Sequence, residues 1–191
     1  MRRAVSEAQE VLARTGDPQY ADIALDRGCF EEMASLARQA DSEFMRGYVS
    51  LLADSVNLLA AVRLKKMGRG YEYLKQSFVR GGFVSISRLL AEITPDLLES
   101  VYSRTPLHAA AQAAAAALRN EAGLAALDRA CDDALMHYLQ SGKFVGLGEQ
   151  PLLGYIGAKE AELVAVRVIV LGRAAGLEAE TIMERLREPY A

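Results

Sequence analysis

Tryptophan is absent from this 191-residue chain, and cysteine, histidine and proline number only two, two and five. Each shortage excludes something. Two cysteines, Cys29 and Cys131, are too few for the disulfide framework of a small secreted domain or for a zinc cluster, so both are expected to be buried thiols in a reducing cytoplasm. His108 and His137 stand apart and begin no H-E-x-x-H or C-x-x-C pattern, so no metal site is expected. Few prolines leave room for long uninterrupted helices. No apolar run approaches the ~20 residues that cross a bilayer. The longest, residues 106–118 and 163–171, contain His108 and Gln112, and Arg167. Met1-Arg2-Arg3 leads into Ser6, Glu7 and Glu10 instead of an apolar stretch, so no signal peptide is expected and the protein should be soluble. Positive charge is not in excess either: 22 Lys and Arg face 25 Asp and Glu, a net −3, which argues against nucleic acid as the main partner.

What is present is helical periodicity, and it repeats. Ala24-Leu25-Asp26-Arg27-Gly28-Cys29 returns as Ala126-Leu127-Asp128-Arg129-Ala130-Cys131 at an offset of 102 residues. Leu25, Cys29, Met33, Leu36 and Ala37 share one helical face, and so do Leu127, Cys131, Leu135, Tyr138 and Leu139. Downstream, Ala61-Val62-Arg63 with Gly68-Arg69 matches Ala165-Val166-Arg167 with Gly172-Arg173 at an offset of 104. Two matches in one order point to duplication. The predicted helices are 18–39, 42–67 and 71–80 in the first copy, and 121–140, 150–171 and 178–187 in the second. Gly68 and Gly172 are expected to end the long helices as left-handed caps. Thr94-Pro95 and Thr105-Pro106 should each start a connecting helix, with threonine at N-cap and proline at N1. The second of these helices is nearly pure alanine. Strand signals are confined to fragments near 81–84 and 144–145, so the fold class is all-α. The division reads as a lead-in over 1–17, a first repeat with Ala-rich connecting helices over 18–118, and a second repeat over 119–191.

Chemistry is sought next. The glycine string Gly142, Gly146 and Gly148 lacks the Lys-Ser/Thr ending of a phosphate loop and reads as a flexible connection. Asp132-Asp133 and Glu31-Glu32 are adjacent pairs that point apart on a helix, and Glu160 and Glu162 diverge by about 200°. They read as solvated faces. No serine has a His/Asp arrangement around it. No catalytic, cofactor-binding or metal residues are assigned, and the protein is not expected to be an enzyme. A basic group, Arg63, Lys65, Lys66 and Arg69, continued by Lys75 and Arg80, has two readings. It is either a favourable set of charges at a helix C-terminus or a docking surface for an acidic partner or lipid headgroups.

The stretch 150–163, with Gln150-Pro151, Leu153, Tyr155, Lys159-Glu160, Glu162 and Leu163, then Arg167, Gly172-Arg173 and Ile182-Met183-Glu184-Arg185-Leu186, resembles the end of the C subunit of V/A-type ATPases, known as the d subunit in eukaryotic V-ATPases. Asp54, Asn57-Leu58, Arg63 and Gly81-Gly82 resemble that family's D-x-x-N-L…R helix and the glycines after it. The resemblance covers most of 17–190. It implies a funnel of three related helical units, of which this chain carries two, joining the rotor shaft subunits to the membrane proteolipid ring. It further implies a non-catalytic central-stalk role without cofactors, in the cytoplasm and peripheral to the membrane. A free-standing helical scaffold and an all-α enzyme, its pocket lined by Glu160, Arg167 and Asp54, remain the alternatives.

Overall fold

A computed structural model describes residues 2–187, and among them ten helices follow one another without a strand. They are α1 (Arg2–Thr15), α2 (Pro18–Gln39), α3 (Glu43–Lys66), α4 (Tyr71–Ser77), α5 (Ile86–Ala91), α6 (Pro95–Tyr102), α7 (His108–Leu118), α8 (Leu124–Gln140), α9 (Glu149–Ala174) and α10 (Ala179–Glu184). The all-α expectation holds. The 1–17 lead-in is largely helix α1, which packs on α2 where Gly28 leaves room for the Ala4 methyl.

Helix starts follow local chemistry. The Asp17 carboxylate accepts from the Gln19 N–H with Pro18 at N1, and Ser42 Oγ accepts from Met45 N–H. Thr94 caps α6 as expected, accepting from Leu97 N–H. Thr105 behaves differently. Its hydroxyl donates to the Tyr102 carbonyl and accepts from Leu107 N–H, so it closes a tight turn and α7 begins only at His108.

The stops confirm one expected cap and correct the other. Gly68 has φ +65, with Gly68 N–H on Lys65 O and Arg69 N–H on Leu64 O, the paired bonds of a Schellman motif. Gly172 lies inside α9 and is buried. The left-handed residue is Gly176 (φ +72), whose N–H meets Arg173 O while Leu177 N–H meets Gly172 O. Asn120 (φ 62) ends α7 in the same manner. Gly172 is needed for a different reason: a Cβ there would stand 2.8 Å from Ile182 of α10.

The core is centred on α3 and α7. Ala110, Ala111, Ala114, Ala115 and Ala117 are fully buried, so α7 runs through the centre and lets its neighbours approach closely. Leu51, Leu58, Leu89, Leu98, Tyr102, Leu107 and Leu127 fill the space around it. Cys131 is buried in this core, whereas Cys29 is only half-buried; both are free thiols. Leu25 and Cys29 thus meet more solvent than their sequence counterparts Leu127 and Cys131. By length and composition α3 alone, among the described residues, could cross a membrane, but half of its apolar window is buried within the fold.

Candidate functional site

The most specific polar arrangement lies where α3 meets the segment after α4. Asp54 and Asn57 are three residues apart on α3, hence on one face, and each is 1% exposed. Asn57 grips Val79 by both backbone groups: Nδ2 donates to Val79 O and Oδ1 accepts from Val79 N–H, each at 2.9 Å. Asp54 holds the other end, accepting from Phe83 N–H at 2.9 Å and from Val84 N–H at 3.2 and 3.3 Å. A Cβ on Gly82 would stand 2.0 Å from Asp54 Oδ1, so glycine is required for the carboxylate to come this close. The two side chains therefore clamp residues 79–84, which explains why α4 ends at Ser77 and not at 80. Burial pushes the Asp54 carboxyl up to about 6, against the opposing pull of the Val84 and Phe83 N–H bonds. Nearby, Tyr102 donates to the Asp54 carbonyl at 3.4 Å, and burial raises the Cys131 thiol to about 11. These groups are saturated by the fold itself.

The six basic residues divide. Arg63 pairs with Asp128 across α3 and α8. Lys66 Nζ donates to Ala117 O and Asn120 Oδ1, both at 2.9 Å, and so closes the end of α7. Arg69 lies 4.9 Å over the Tyr73 ring and reaches Gln19 Oε1. Lys65, Lys75 and Arg80 are exposed. Lys65 and Lys66 edge a cavity of about 450 Å³ with Ile93, Thr94 and Leu118. Sequence spacing places Arg63, Lys65, Lys66 and Arg69 at the end of α3, with Lys75 and Arg80 further on, but could not identify the long-range partners Asp128, Asn120 and Gln19.

The pocket required for an enzyme does not assemble from the residues named for it. Asp54 is sealed beneath the clamped segment. Glu160 lines a cavity of about 170 Å³ between α8 and α9 together with Tyr48, Asp132 and Arg187, whereas Arg167 is exposed about 10 Å further along α9. Asp132 and Asp133 take separate partners, Arg187 and Arg129. Among the described residues no three His, Cys, Asp or Glu side chains converge as a metal site would require. Residues 142–148 form the connection before α9, with the Phe144 side chain 93% exposed.

Helix α9 is tied to the body at its first residue. Ser42 Oγ, the cap of α3, also donates to Glu149 Oε1, and this bond lowers the Glu149 carboxyl. Between α3 and α8, Tyr138 stacks on Phe44 with centroids 4.9 Å apart and donates to Phe44 O at 2.9 Å. Gly47 makes room for that hydroxyl, since a Cβ there would lie 2.0 Å from it.

Comparison with known proteins gives this architecture a family. The ATP synthase (C/AC39) subunit family matches residues 1–185. The C subunit of the A-type ATP synthase of Haloferax volcanii is 29% identical over 186 residues, covering 95% of this chain and 53% of the relative. Its counterpart in the A-type ATP synthase of Halorubrum lacusprofundi is 28% identical over 194 residues, 97% of this chain and 53% of its own. The C subunit of the V-type sodium ATPase of Enterococcus hirae is 28% identical over 206 residues, 97% and 57% respectively. The chain thus spans about half the length of the curated relatives it matches. A helical body with its buried polar groups turned to clamping its own backbone, matched nearly end to end, is a member of the ATP synthase (C/AC39) subunit family.

Proposed function

We propose that the chain is a non-catalytic coupling subunit of a V/A-type rotary ATPase, placed between the rotor shaft subunits and the membrane proteolipid ring on the cytoplasmic side. The observation that carries this reading is the Asp54–Asn57 clamp. The most deeply buried polar side chains fix a loop to a core helix instead of facing a cavity. A subunit that transmits torque needs such fixed connections, because close-packed interiors pass strain on with little compliance. Lys65, Lys75 and Arg80 would supply the polar, reversible contact to an acidic partner surface.

Binding to purified shaft subunits and to the detergent-solubilised ring tests the reading. The chain should bind at least one of them, and Lys65→Glu with Lys75→Glu and Arg80→Glu should weaken that binding about 10-fold or more at low salt, with loss of the salt dependence. In a reconstituted complex, omitting the chain should leave ATP hydrolysis by the soluble part and abolish ion movement. Failure to bind either partner would favour a free-standing helical scaffold.

A further inference from the structure

The ends of three helices meet around the cavity of about 450 Å³. Lys65 and Lys66 close α3, Thr94 and Pro95 open α6, and Leu118 and Asn120 finish α7, with Ile93 among them. Burial orders this lining. Ile93 is buried, Leu118 and Pro95 are half-buried, and Lys65, Lys66 and Asn120 are exposed. The floor is therefore apolar and the rim polar. The acceptors at the rim are already engaged within the fold. Thr94 Oγ1 accepts from Leu97 N–H and Thr94 O from Leu98 N–H, while Ala117 O and Asn120 Oδ1 both accept from the Lys66 ammonium. Donors are what remains. Lys66 has used two of its three N–H groups, and the Lys65 ammonium, the Asn120 amide nitrogen and the Thr94 hydroxyl proton have no partner among the described residues. No carboxylate lines the cavity; Asp96 and Glu99 of α6 are turned to Arg119 instead.

We propose that this cavity seats an acidic–apolar segment of a partner protein. One Asp or Glu carboxylate is held by Lys65, Lys66 and Asn120, and an adjoining apolar side chain of Leu or Ile size rests on Ile93, Leu118 and Pro95. A rim that offers only donors selects a group with several acceptor oxygens, and the two ammonium groups make the contact charge-assisted. The order of the lining selects the rest. An incoming ligand must carry an apolar part past the charged rim, as a peptide does with neighbouring side chains. A phospholipid leads with its phosphate and trails its acyl chains, so it brings nothing apolar to Ile93. The volume falls within the ~300–1,000 Å³ of ordinary ligand sites. This seat deepens the coupling reading by naming what Lys65 holds, and it rests on that reading only for the choice of partner.

Methyl NMR on the 191-residue chain tests it, with capped tetrapeptides as probes. Acetyl-Gly-Glu-Leu-Gly-amide should shift the Ile93 and Leu118 methyl signals with a dissociation constant of about 1 mM or below at low salt. Gln in place of its Glu, or Gly in place of its Leu, should weaken binding about 5-fold or more. Lys65→Ala changes an exposed side chain and should weaken it about 3-fold, while Lys65→Arg keeps it. Asn120→Gly keeps the positive φ (62) that ends α7 and should weaken it likewise. Methyl signals unmoved at about 10 mM of the first peptide, equal binding of the Glu and Gln peptides, or the same shifts from inorganic phosphate or phosphatidylglycerol vesicles would each overturn the proposal. If the shaft subunits or the ring bind the parent chain and the double variant Lys65→Ala with Asn120→Gly equally well, the seat is wrong and the coupling reading stands. Peptide binding as described, with neither partner bound, keeps the seat and removes the coupling reading.

Discussion

Replacing Asn57 by alanine removes one side chain and exposes the logic of the clamp around it. Val79 is 1% exposed, and both of its backbone groups bond to Asn57. In Asn57→Ala neither group finds a partner unless the segment opens to water. A buried backbone donor or acceptor left unmade costs ~1–3 kcal/mol, so the pair costs roughly 2–5 kcal/mol after partial relaxation. Set against a domain stability of ~5–15 kcal/mol, that is a large fraction. With an m-value of about 2–3 kcal/mol per molar urea, the unfolding midpoint should fall by about 1 M or more. Circular dichroism in urea reads the global effect, and amide hydrogen exchange reads the local one. Val79 N–H should lose protection in Asn57→Ala while Val84 N–H, held by Asp54, keeps most of its own; Asp54→Ala should show the reverse. The double variant should cost less than the sum, because one release already loosens the segment that the other grips. A midpoint within about 0.2 M of the parent, about 0.5 kcal/mol, with Val79 still protected, would refute the argument.

Other expectations follow from the same geometry. The Asp54 carboxyl is raised in the fold from 3.8 to about 6 by burial, so its contribution to stability is full below about pH 4 and is lost as pH rises through about 6. The difference in unfolding free energy between the parent and the non-titrating Asp54→Asn should therefore shift by up to about 3 kcal/mol over that window and stay flat above it, as read by urea titrations at each pH. Gly176→Ala should cost about 1 kcal/mol through its positive φ alone, since nothing crowds the site, and thermal melts should show it. Gly172→Ala, in contrast, should displace Ile182 and release α10, so that limited proteolysis cuts beyond residue 174 sooner. Gly47→Ala and Tyr138→Phe should be non-additive: the added methyl collides with the Tyr138 hydroxyl that phenylalanine lacks, so a double-mutant cycle should return a coupling of about 1 kcal/mol.

Helix order is readable in the sequence because capping is local chemistry. Asp17-Pro18, Ser42 and Thr94-Pro95 carry their start signals within three residues, and Gly68 carries a stop. The second stop is not readable in the same way, because Gly172 and Gly176 are equally available as caps in sequence; the contact with Ile182, distant in sequence, makes the first an interior residue. Helix α1 is legible, since Ala4, Ala8 and Val11 recur at i, i+4 and i+7 among good helix formers, and reading residues 1–17 as a lead-in passes over it; the six-residue α5 is too short for a pattern to register. The clamp is half legible. A polar Asp54 and Asn57 on one face of an otherwise apolar helix, with Gly81-Gly82 ahead, is a signal that something polar comes to meet them. Which backbone groups arrive depends on how the chain returns, and no local pattern encodes that. The basic cluster shows the limit most clearly. Four charges gather at the end of α3, yet Arg63 and Lys66 are bound to α8 and to the end of α7, and Arg69 to Gln19 and Tyr73.

Small residues sit at several of the helix crossings among the described residues. Gly28 faces Ala4, Gly47 faces Tyr138, Gly157 faces Leu139, Gly172 faces Ile182, and the alanines of α7 occupy the centre. Gly28 meets the Ala4 Cβ, whereas Gly47, Gly157 and Gly172 receive the outer ends of longer side chains, Tyr138 Oη, Leu139 Cδ1 and Ile182 Cγ1, so that each side chain fits into the space a Cβ would fill. The polar clamps act in the same sense, because buried hydrogen bonds fix direction as well as distance. Ser42 does this for two helices at once, capping α3 and holding the start of α9. A body packed this way, with exposed charge at Lys65, Lys75 and Arg80, would suit the coupling role proposed above.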